Sequence, residues 1–146
     1  MTTIRKSITI NAPVERVFDY MTDPNHLPEI WPSMVEVSHV KQLGEGKHSF
    51  DWVYKMAGVR FQGHSDTIQS KKNEDVVVKN EKGIPSTFKW HYAGHDGLTD
   101  LTMEVDYAIP NNLLNKLAKP FLTKLNEHEA EIMLSNLKAR MEVGQT

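Results

Sequence analysis

The stretch "ITINAPVERVFDYMTDPNHLPEIWPSMVEV", Ile8 to Val37, changes its hydrophobic period several times. It opens with the alternation of a half-buried strand and passes into "APVERVF", where apolar residues recur at helical spacing. Asp23-Pro24 ends that helix, because the residue before a proline is pushed out of the α region. The proline-rich segment from Asp23 to Met34 should contain a second short helix, about Asn25 to Ile30, before a valine-rich run. The stretch predicts a strand, two short helices and another strand.

The rest of the chain first shows a long series of strand-like runs. Their predicted bounds are Met34–Leu43, Ser49–Met56, Val59–Ser70, Val76–Glu81, Ser86–Ala93 and Leu98–Ile109. No helical pattern separates them, which indicates an antiparallel meander. After Pro110 the period is helical, and Pro120 interrupts it. Either a kink lies there, or a short helix precedes a long one that begins near Lys119.

An antiparallel sheet with one polar face must cover its other face, and the last helix is the only predicted element long enough to do so. We therefore expect an α+β fold with a curved seven-stranded antiparallel sheet wrapped around a long C-terminal helix, and two short helices between strands 1 and 2. No linker or repeat interrupts the pattern, so residues 1–146 are predicted to form a single domain.

The last helix carries apolar residues along two lines. The line predicted to face the sheet is Leu114, Leu117, Ala118, Phe121, Leu125, His128 and Ile132. A second line on nearly the opposite side is Ala130, Leu134, Leu137 and Met141. The second line packs beneath a loop or forms a homodimer contact through Leu134, Leu137 and Met141.

Composition excludes several classes of protein. A formal net charge of -2 leaves no broad positive surface for phosphate backbones, so no nucleic-acid partner is expected. The chain has no cysteine, which excludes disulfides and thiolate sites and favours a reducing compartment. The N-terminus lacks the apolar core of a signal peptide, and no segment approaches the roughly 20 apolar residues of a membrane span. A cytoplasmic protein without an integral membrane segment is expected.

The beginning of the chain, together with this order of elements, resembles a known superfamily. The matching features are the strand ending at Ile10, "APVERVF", Asp23-Pro24, Trp31-Pro32 and the valine run that follows. They resemble the START-like or Bet v 1-like superfamily (SRPBCC), also called the polyketide cyclase/dehydrase-like group. The resemblance implies a helix-grip fold with a cavity between sheet and long helix for a small, largely apolar molecule. Members include lipid carriers, hormone receptors, aromatic-polyketide cyclases and accessory subunits, so the fold does not identify the ligand.

Strand alternation assigns residues to the inner wall of that cavity. One parity of each strand is rich in aromatic residues, while the other is mostly polar. The strand from Val59 is ambiguous, and we expect Phe61 to point inward. The predicted ligand-contact residues are Trp31, Trp52, Tyr54, Phe61, Phe88, Trp90, Tyr92, Met103, Val105, Tyr107, Phe121, Leu125, His128 and Ile132. An ordinary filled core is the alternative for this set, and Trp31 is interpreted first as a structural plug of the cavity rim.

Catalytic candidates are few. His128, in the helix line predicted to face inward, is either a hydrogen-bonded core histidine or a proton-transfer group acting with Tyr54, Tyr92 or Tyr107. His64 and Asp66 share a strand face but are expected to be solvated. No metal site is expected, and no cofactor motif is present.

Three functional hypotheses follow. The first is a binding protein for a hydrophobic or aromatic molecule such as a lipid or polyketide. The second is a cyclase or dehydratase that needs no cofactor, because aldol cyclisation and dehydration require only a positioned acid and base. The third is an accessory subunit of another enzyme.

Overall fold

A computed structural model describes residues 1–143 of the chain. The last three residues of the predicted domain, 144–146, lie outside the described residues. The strands are β1 (Thr2–Ile10), β2 (Met34–Gly44), β3 (Lys47–Met56), β4 (Val59–Lys71), β5 (Asp75–Lys82), β6 (Ser86–His95) and β7 (Leu98–Tyr107). The helices are α1 (Val14–Thr22), α2 (Leu27–Ile30), α3 (Asn111–Leu114) and α4 (Lys119–Glu142), with a 3-10 turn at Pro24–His26.

The seven strands form one antiparallel sheet in the order β1-β7-β6-β5-β4-β3-β2. β1 and β2 are the two edges, although only the short helices separate them in sequence. The chain crosses from one edge to the other through α1, the 3-10 turn and α2. This is the predicted curved sheet around a long C-terminal helix, and the predicted fold is confirmed.

The predicted strand bounds are right to within a few residues. The largest differences are two residues, at the start of β3 (Lys47), the end of β6 (His95) and the end of β7 (Tyr107). Of the two alternatives for Pro120, the second is correct: α3 is short, and α4 starts at Lys119 with Pro120 in its first turn. A proline is tolerated there because the first N–H groups of a helix have no intrahelical partner.

Polar contacts fasten α4 along β1. Lys138 Nζ donates to the carbonyl oxygen of Thr9 (2.8 Å), and Glu142 accepts from the backbone N–H of Asn11 (2.8 Å). Lys6 forms an ion pair with Glu131 (2.9 Å). These contacts set the rotation of α4 about its axis.

The prediction for the buried face of this helix is wrong. The buried residues of α4 are Leu122, Ala130, Met133, Leu134, Leu137 and Met141. Phe121, Leu125 and His128 are exposed, and Ile132 is half-buried. Apolar residues occupy two opposite sides of α4, so periodicity alone did not select the buried one. Residues 115–118 are not helical, so the apolar residues of α3 give no support to the predicted side. Since Leu134, Leu137 and Met141 lie inside the monomer, the predicted dimer contact through them is wrong as well.

Within residues 1–143, none of the helices is both long and apolar enough to cross a bilayer.

Candidate ligand-binding cavity

A cavity of about 140 Å³ lies between the concave face of the sheet, the α1–α2 segment and α4. Its largest wall comes from the inward residues of β3 and β6: Phe50, Trp52, Tyr54, Met56, Phe88, Trp90 and Tyr92. Met21, Leu27 and Trp31 cover it from the helical segment. Strand alternation explains this wall, because the outward residues between these side chains are polar.

The aromatic rings contact one another at defined angles. Trp31 makes edge-to-face contacts with Tyr54 (centroids 5.6 Å apart, 80°) and with Phe88 (5.6 Å, 74°). Phe88 stacks on Trp90 (6.1 Å, 10°). Trp31 therefore belongs to the rim packing and lines the cavity at the same time.

Gly63 on β4 makes room for the indole of Trp52. A Cβ at this position would lie 2.1 Å from Trp52 Cζ2 and 2.5 Å from the carbonyl oxygen of Lys82. Gly63 and Trp52 are register partners in the β3–β4 pair. The absence of a side chain at Gly63 thus fixes how far the indole enters the wall.

A short chain of polar groups runs through the β4–β5–β6 side of the cavity. Ser65 donates to Asn80 Oδ1, Asn80 Nδ2 donates to Ser86 Oγ (2.8 Å), and Ser86 donates to the carbonyl oxygen of Ile84 (3.0 Å). The side chains of Ser65, Asn80 and Ser86 are buried and line the cavity. Buried polar groups are stable when they are hydrogen-bonded in this way, and Asn80 retains a second N–H donor.

A second polar group lies below α4. Asn126 Nδ2 donates to the Tyr107 hydroxyl (2.8 Å), and both residues line the cavity. Nearby, Glu129 accepts a hydrogen bond from the backbone N–H of Ser33 (2.8 Å). This arrangement ties α4 to the loop that leads into β2.

Burial raises the pKa of all three cavity tyrosines, Tyr54, Tyr92 and Tyr107. The negative charge of Glu129 adds to the increase for Tyr54, and the hydrogen bond from Asn126 opposes it for Tyr107. All three are therefore neutral hydroxyls at physiological pH, able to donate a hydrogen bond.

Some hydrogen-bond donors in the wall have no protein partner within residues 1–143, among them those of Tyr92 and Trp31. In the described part of the chain, no protein group hydrogen-bonds the Tyr92 hydroxyl. The buried Trp31 indole N–H lies near the Tyr54 hydroxyl but makes no hydrogen bond within residues 1–143. The buried, unsatisfied Trp31 donor costs about 1–3 kcal/mol.

An outer depression adjoins the cavity beside the end of α1. Thr22 and Gly46 line both the cavity and this depression, which includes Phe18, Asp19, Glu45, Ser70 and Lys72. The depression lies between α1 and the hairpin that joins β2 to β3.

The predicted ligand-contact residues separate into three groups. Those that line the cavity are Trp31, Trp52, Tyr54, Phe88, Trp90, Tyr92 and Tyr107. Met103 and Val105 are buried in the core outside the lining, and Phe61, inward as predicted, is half-buried against the core. The α4 residues Phe121, Leu125, His128 and Ile132 do not line it, because α4 presents its opposite face to the sheet.

The predicted contact set omitted several lining residues. They are Met21, Thr22, Pro24, Leu27, Met34, Gly46, Phe50, Met56, Ser65, Thr67, Val76, Val78, Asn80, Ile84, Ser86 and Asn126. Strand alternation could have identified the lining residues on the strands, because Ser65 and Thr67 share the face of Phe61, and Ser86 shares that of Phe88. Asn126 lies one turn after buried Leu122, a relation visible only once the helix phase is known.

His64 lies on the outer face of the sheet, away from the cavity. Its Nδ1 contacts Asp51 (2.7 Å) and its Nε2 contacts Asp66 (3.1 Å), while His39 contacts the other oxygen of Asp51 (2.9 Å). The hydrogen bond with Asp51 raises the pKa of His64 and lowers that of Asp51. Within residues 1–143 no group of three His, Asp or Glu side chains is placed to hold a metal ion.

The order of elements and the cavity agree with a family comparison. The family described as polyketide cyclase / dehydrase and lipid transport matches residues 1–142. The chain belongs to this family. A search of curated proteins finds no match to this member.

Solved structures share the fold of this polyketide cyclase / dehydrase family member at low sequence identity. A Thermus thermophilus protein is 19% identical with a TM-score of 0.81, covering 99% of this chain and 100% of that one. The Zhui aromatase/cyclase from Streptomyces sp. R1128 is 17% identical with a TM-score of 0.80, covering 97% and 93%. A START superfamily protein from Mycobacterium smegmatis is 14% identical with a TM-score of 0.74, covering 96% and 97%. The family match confirms the resemblance to the polyketide cyclase/dehydrase-like group, and these structures share its fold.

Proposed function

We propose that this protein binds a small hydrophobic or aromatic molecule in the cavity between the sheet and α4. The observation that carries the proposal is an aromatic wall interrupted by a few polar groups, the usual composition of a small-ligand site. The edge-to-face and stacked rings of Trp31, Phe88 and Trp90 offer flat apolar surfaces to a planar ligand.

The free donors point to a ligand that carries an oxygen. Tyr92 keeps a neutral hydroxyl in an apolar wall, and Trp31 keeps an unpartnered N–H. A ligand carbonyl or hydroxyl oxygen could accept a hydrogen bond from the Tyr92 hydroxyl, which lines the cavity. A planar ring with at least one oxygen substituent therefore fits the wall better than a pure hydrocarbon.

The size of the cavity restricts the ligand further. Engineered apolar cavities of about 150 Å³ hold benzene, whereas sites for drug-sized ligands begin at about 300 Å³. The cavity of about 140 Å³ belongs with the former. We expect one ring, or one end of a longer molecule that extends into the outer depression beside α1.

A thermal-shift titration tests this proposal. A ligand that binds only the folded state raises its stability by RT ln(1 + [L]/Kd), about 2.7 kcal/mol at a hundredfold excess over Kd. We expect phenol to raise the melting temperature more than benzene does, and Tyr92→Phe to reduce that difference. Native mass spectrometry of protein purified from its source would identify the ligand. The proposal would be refuted if no phenol, naphthol, fatty acid or polyketide shifted the melting temperature and no ligand co-purified with the protein.

A second candidate is acid–base catalysis in the same cavity, and the position of Glu129 favours it. Its carboxylate lies near enough to raise the pKa of Tyr54, which lines the cavity. Cyclisation or dehydration requires a positioned acid and base, and Glu129 would act through Tyr54 because it does not itself line the cavity. His128, the sequence-based candidate, is exposed on the other side of α4.

Kinetics with a poly-β-keto substrate distinguish catalysis from binding. Under the catalytic proposal, Tyr54→Phe and Glu129→Gln lower kcat and change its pH profile, while His128→Ala leaves both unchanged. A Tyr54→Phe variant that keeps the wild-type kcat and pH profile excludes catalysis by Tyr54.

A further inference from the structure

The segment from Asn111 to Asn126, comprising α3 and the start of α4, exposes large apolar side chains. Leu114 is 39% exposed, Phe121 52% and Leu125 38%. Phe121 and Leu125 lie four residues apart on α4 and share one face. Folding leaves this apolar area in water although α4 has a fully buried face elsewhere.

The same segment is basic. It contains Lys116, Lys119 and Lys124 and no Asp or Glu, so its formal charge is +3 in a chain whose total is -2. All three lysines are exposed. Across residues 1–143, the ion pairs of the structure involve none of them. The positive end of the α4 dipole lies beside Lys119 and adds to this field.

The inner side of the segment closes the cavity region. Leu113 and Leu122 are fully buried, and Asn126 lines the cavity and bonds Tyr107. Phe121, Lys124 and Leu125 thus lie on the outer side of α4, whose inner side contacts the ligand site. Exposed Lys119 lies at the N-terminal end of α4, and exposed Leu114 and Lys116 precede it.

We propose that this outer side docks on the surface of an anionic lipid bilayer. The docking surface consists of Leu114, Phe121 and Leu125 with Lys116, Lys119 and Lys124. Apolar side chains of an interfacial helix enter the boundary between headgroups and acyl chains, and lysines at its edge attract anionic headgroups. A second copy of this chain fits poorly, because two surfaces of charge +3 repel each other. A nucleic acid would satisfy the lysines but leave the leucines and Phe121 in water.

Co-sedimentation with vesicles tests the proposal independently of any cavity ligand. We expect the full-length protein to bind vesicles of phosphatidylcholine with phosphatidylserine, to bind phosphatidylcholine alone weakly, and to lose binding as salt rises. Each lysine near an anionic surface contributes about a fivefold increase in affinity. Lys119→Ala with Lys124→Ala should therefore weaken binding about twentyfold or more, and Phe121→Glu should weaken it at least about tenfold.

Matched controls separate docking from general effects of charge and exposure. Ile68 is 53% exposed on the outer sheet face, so Ile68→Glu matches Phe121→Glu. Lys41 and Lys89 are exposed lysines on strands, so their double alanine variant makes the same change in net charge. Both controls should bind vesicles as the wild type does. The melting temperatures of all four variants would be measured to check that they fold.

Several results would overturn the proposal. They are an absence of binding to the anionic vesicles, equal binding to neutral ones, and an equal loss in the Ile68→Glu control. A concentration-dependent dimer in sedimentation velocity, abolished by Phe121→Glu without any vesicle binding, would assign the surface to self-association instead.

Discussion

Gly63 determines how closely the indole of Trp52 approaches β4. A methyl group at this position would overlap the indole and the Lys82 carbonyl. We expect Gly63→Ala to lower the free energy of unfolding by about 1–3 kcal/mol, the usual cost of overpacking. Urea denaturation measures the loss, and a red shift of tryptophan emission reports the displaced ring. Gly44, where an added Cβ meets nothing within 4 Å, is the control, and an equal loss in Gly44→Ala would contradict the steric explanation.

Tyr107 lines the cavity, whereas His128 is exposed to solvent, so their substitutions should have different effects. Tyr107→Phe removes the acceptor of Asn126 Nδ2 in a partly buried position, so we expect a loss of about 1–2 kcal/mol in stability and weaker ligand binding. His128→Ala changes an exposed side chain, and its effect should stay within about 0.5 kcal/mol. Urea denaturation and a ligand titration check both variants. A His128→Ala variant that loses affinity would return this residue to the site.

The helix α4 has one buried side and one exposed side, but both sides carry apolar residues, so its sequence alone does not show which side is buried. Leu137 is fully buried, whereas Leu125 is 38% exposed. Leu137→Ala should cost about 2–5 kcal/mol, as do large-to-small changes in a core. Leu125→Ala should cost no more than about 0.5 kcal/mol in the same denaturation experiment. Similar losses in the two variants would contradict the observed orientation of α4.

The outer face of β3 and β4 should make stability depend on pH. A lowered pKa means that Asp51 stabilises the fold above its unfolded value of about 3.9, an effect lost as the pH falls through its folded pKa. The raised pKa of His64 stabilises the fold below about 6.5, an effect lost as the pH rises through its folded pKa. The pair therefore contributes most between these limits.

Asp51→Asn tests this pair. The difference in melting temperature from the wild type should be largest near pH ~5.5 and smaller near pH ~9. Exposed Asp19 has no histidine partner within the described residues, so Asp19→Asn should show no such dependence. A difference that is the same at both pH values would show that the His64–Asp51 contact does not stabilise the fold.

At the scale of the whole molecule, the space between sheet and helices decides which ligand fits. Leu27 covers the cavity from α2, and Leu27→Ala would enlarge it. We expect this variant to lose about 2–5 kcal/mol of stability and to gain affinity for two-ring ligands relative to phenol. Leu101 is fully buried outside the lining, so Leu101→Ala should lose stability without a change in ligand preference. Equal preferences in both variants, measured by thermal shift, would show that the cavity does not select by size.

The strand wall could be predicted from the sequence, whereas the helix wall could not. In β3 and β6 the side-chain period is two and aromatic residues occupy one parity, so Trp52, Tyr54 and Trp90 could be assigned to the inner face without the fold. In α4 apolar residues occupy two opposite sides, so periodicity permits two orientations. Contacts with β1 and α2 choose between them, and those contacts are distant in sequence.

The chain by itself determined the order of its elements, the antiparallel meander and the inward parity of its aromatic strands. These properties depend on short-range periods and on prolines, which act within a few residues. Only the tertiary structure decided which side of α4 is buried, that His128 faces water, that Asn126 and the Ser65–Asn80–Ser86 chain line the cavity, and how large that cavity is. Each of these depends on the distance and rotation between elements, which the packing of the whole core sets.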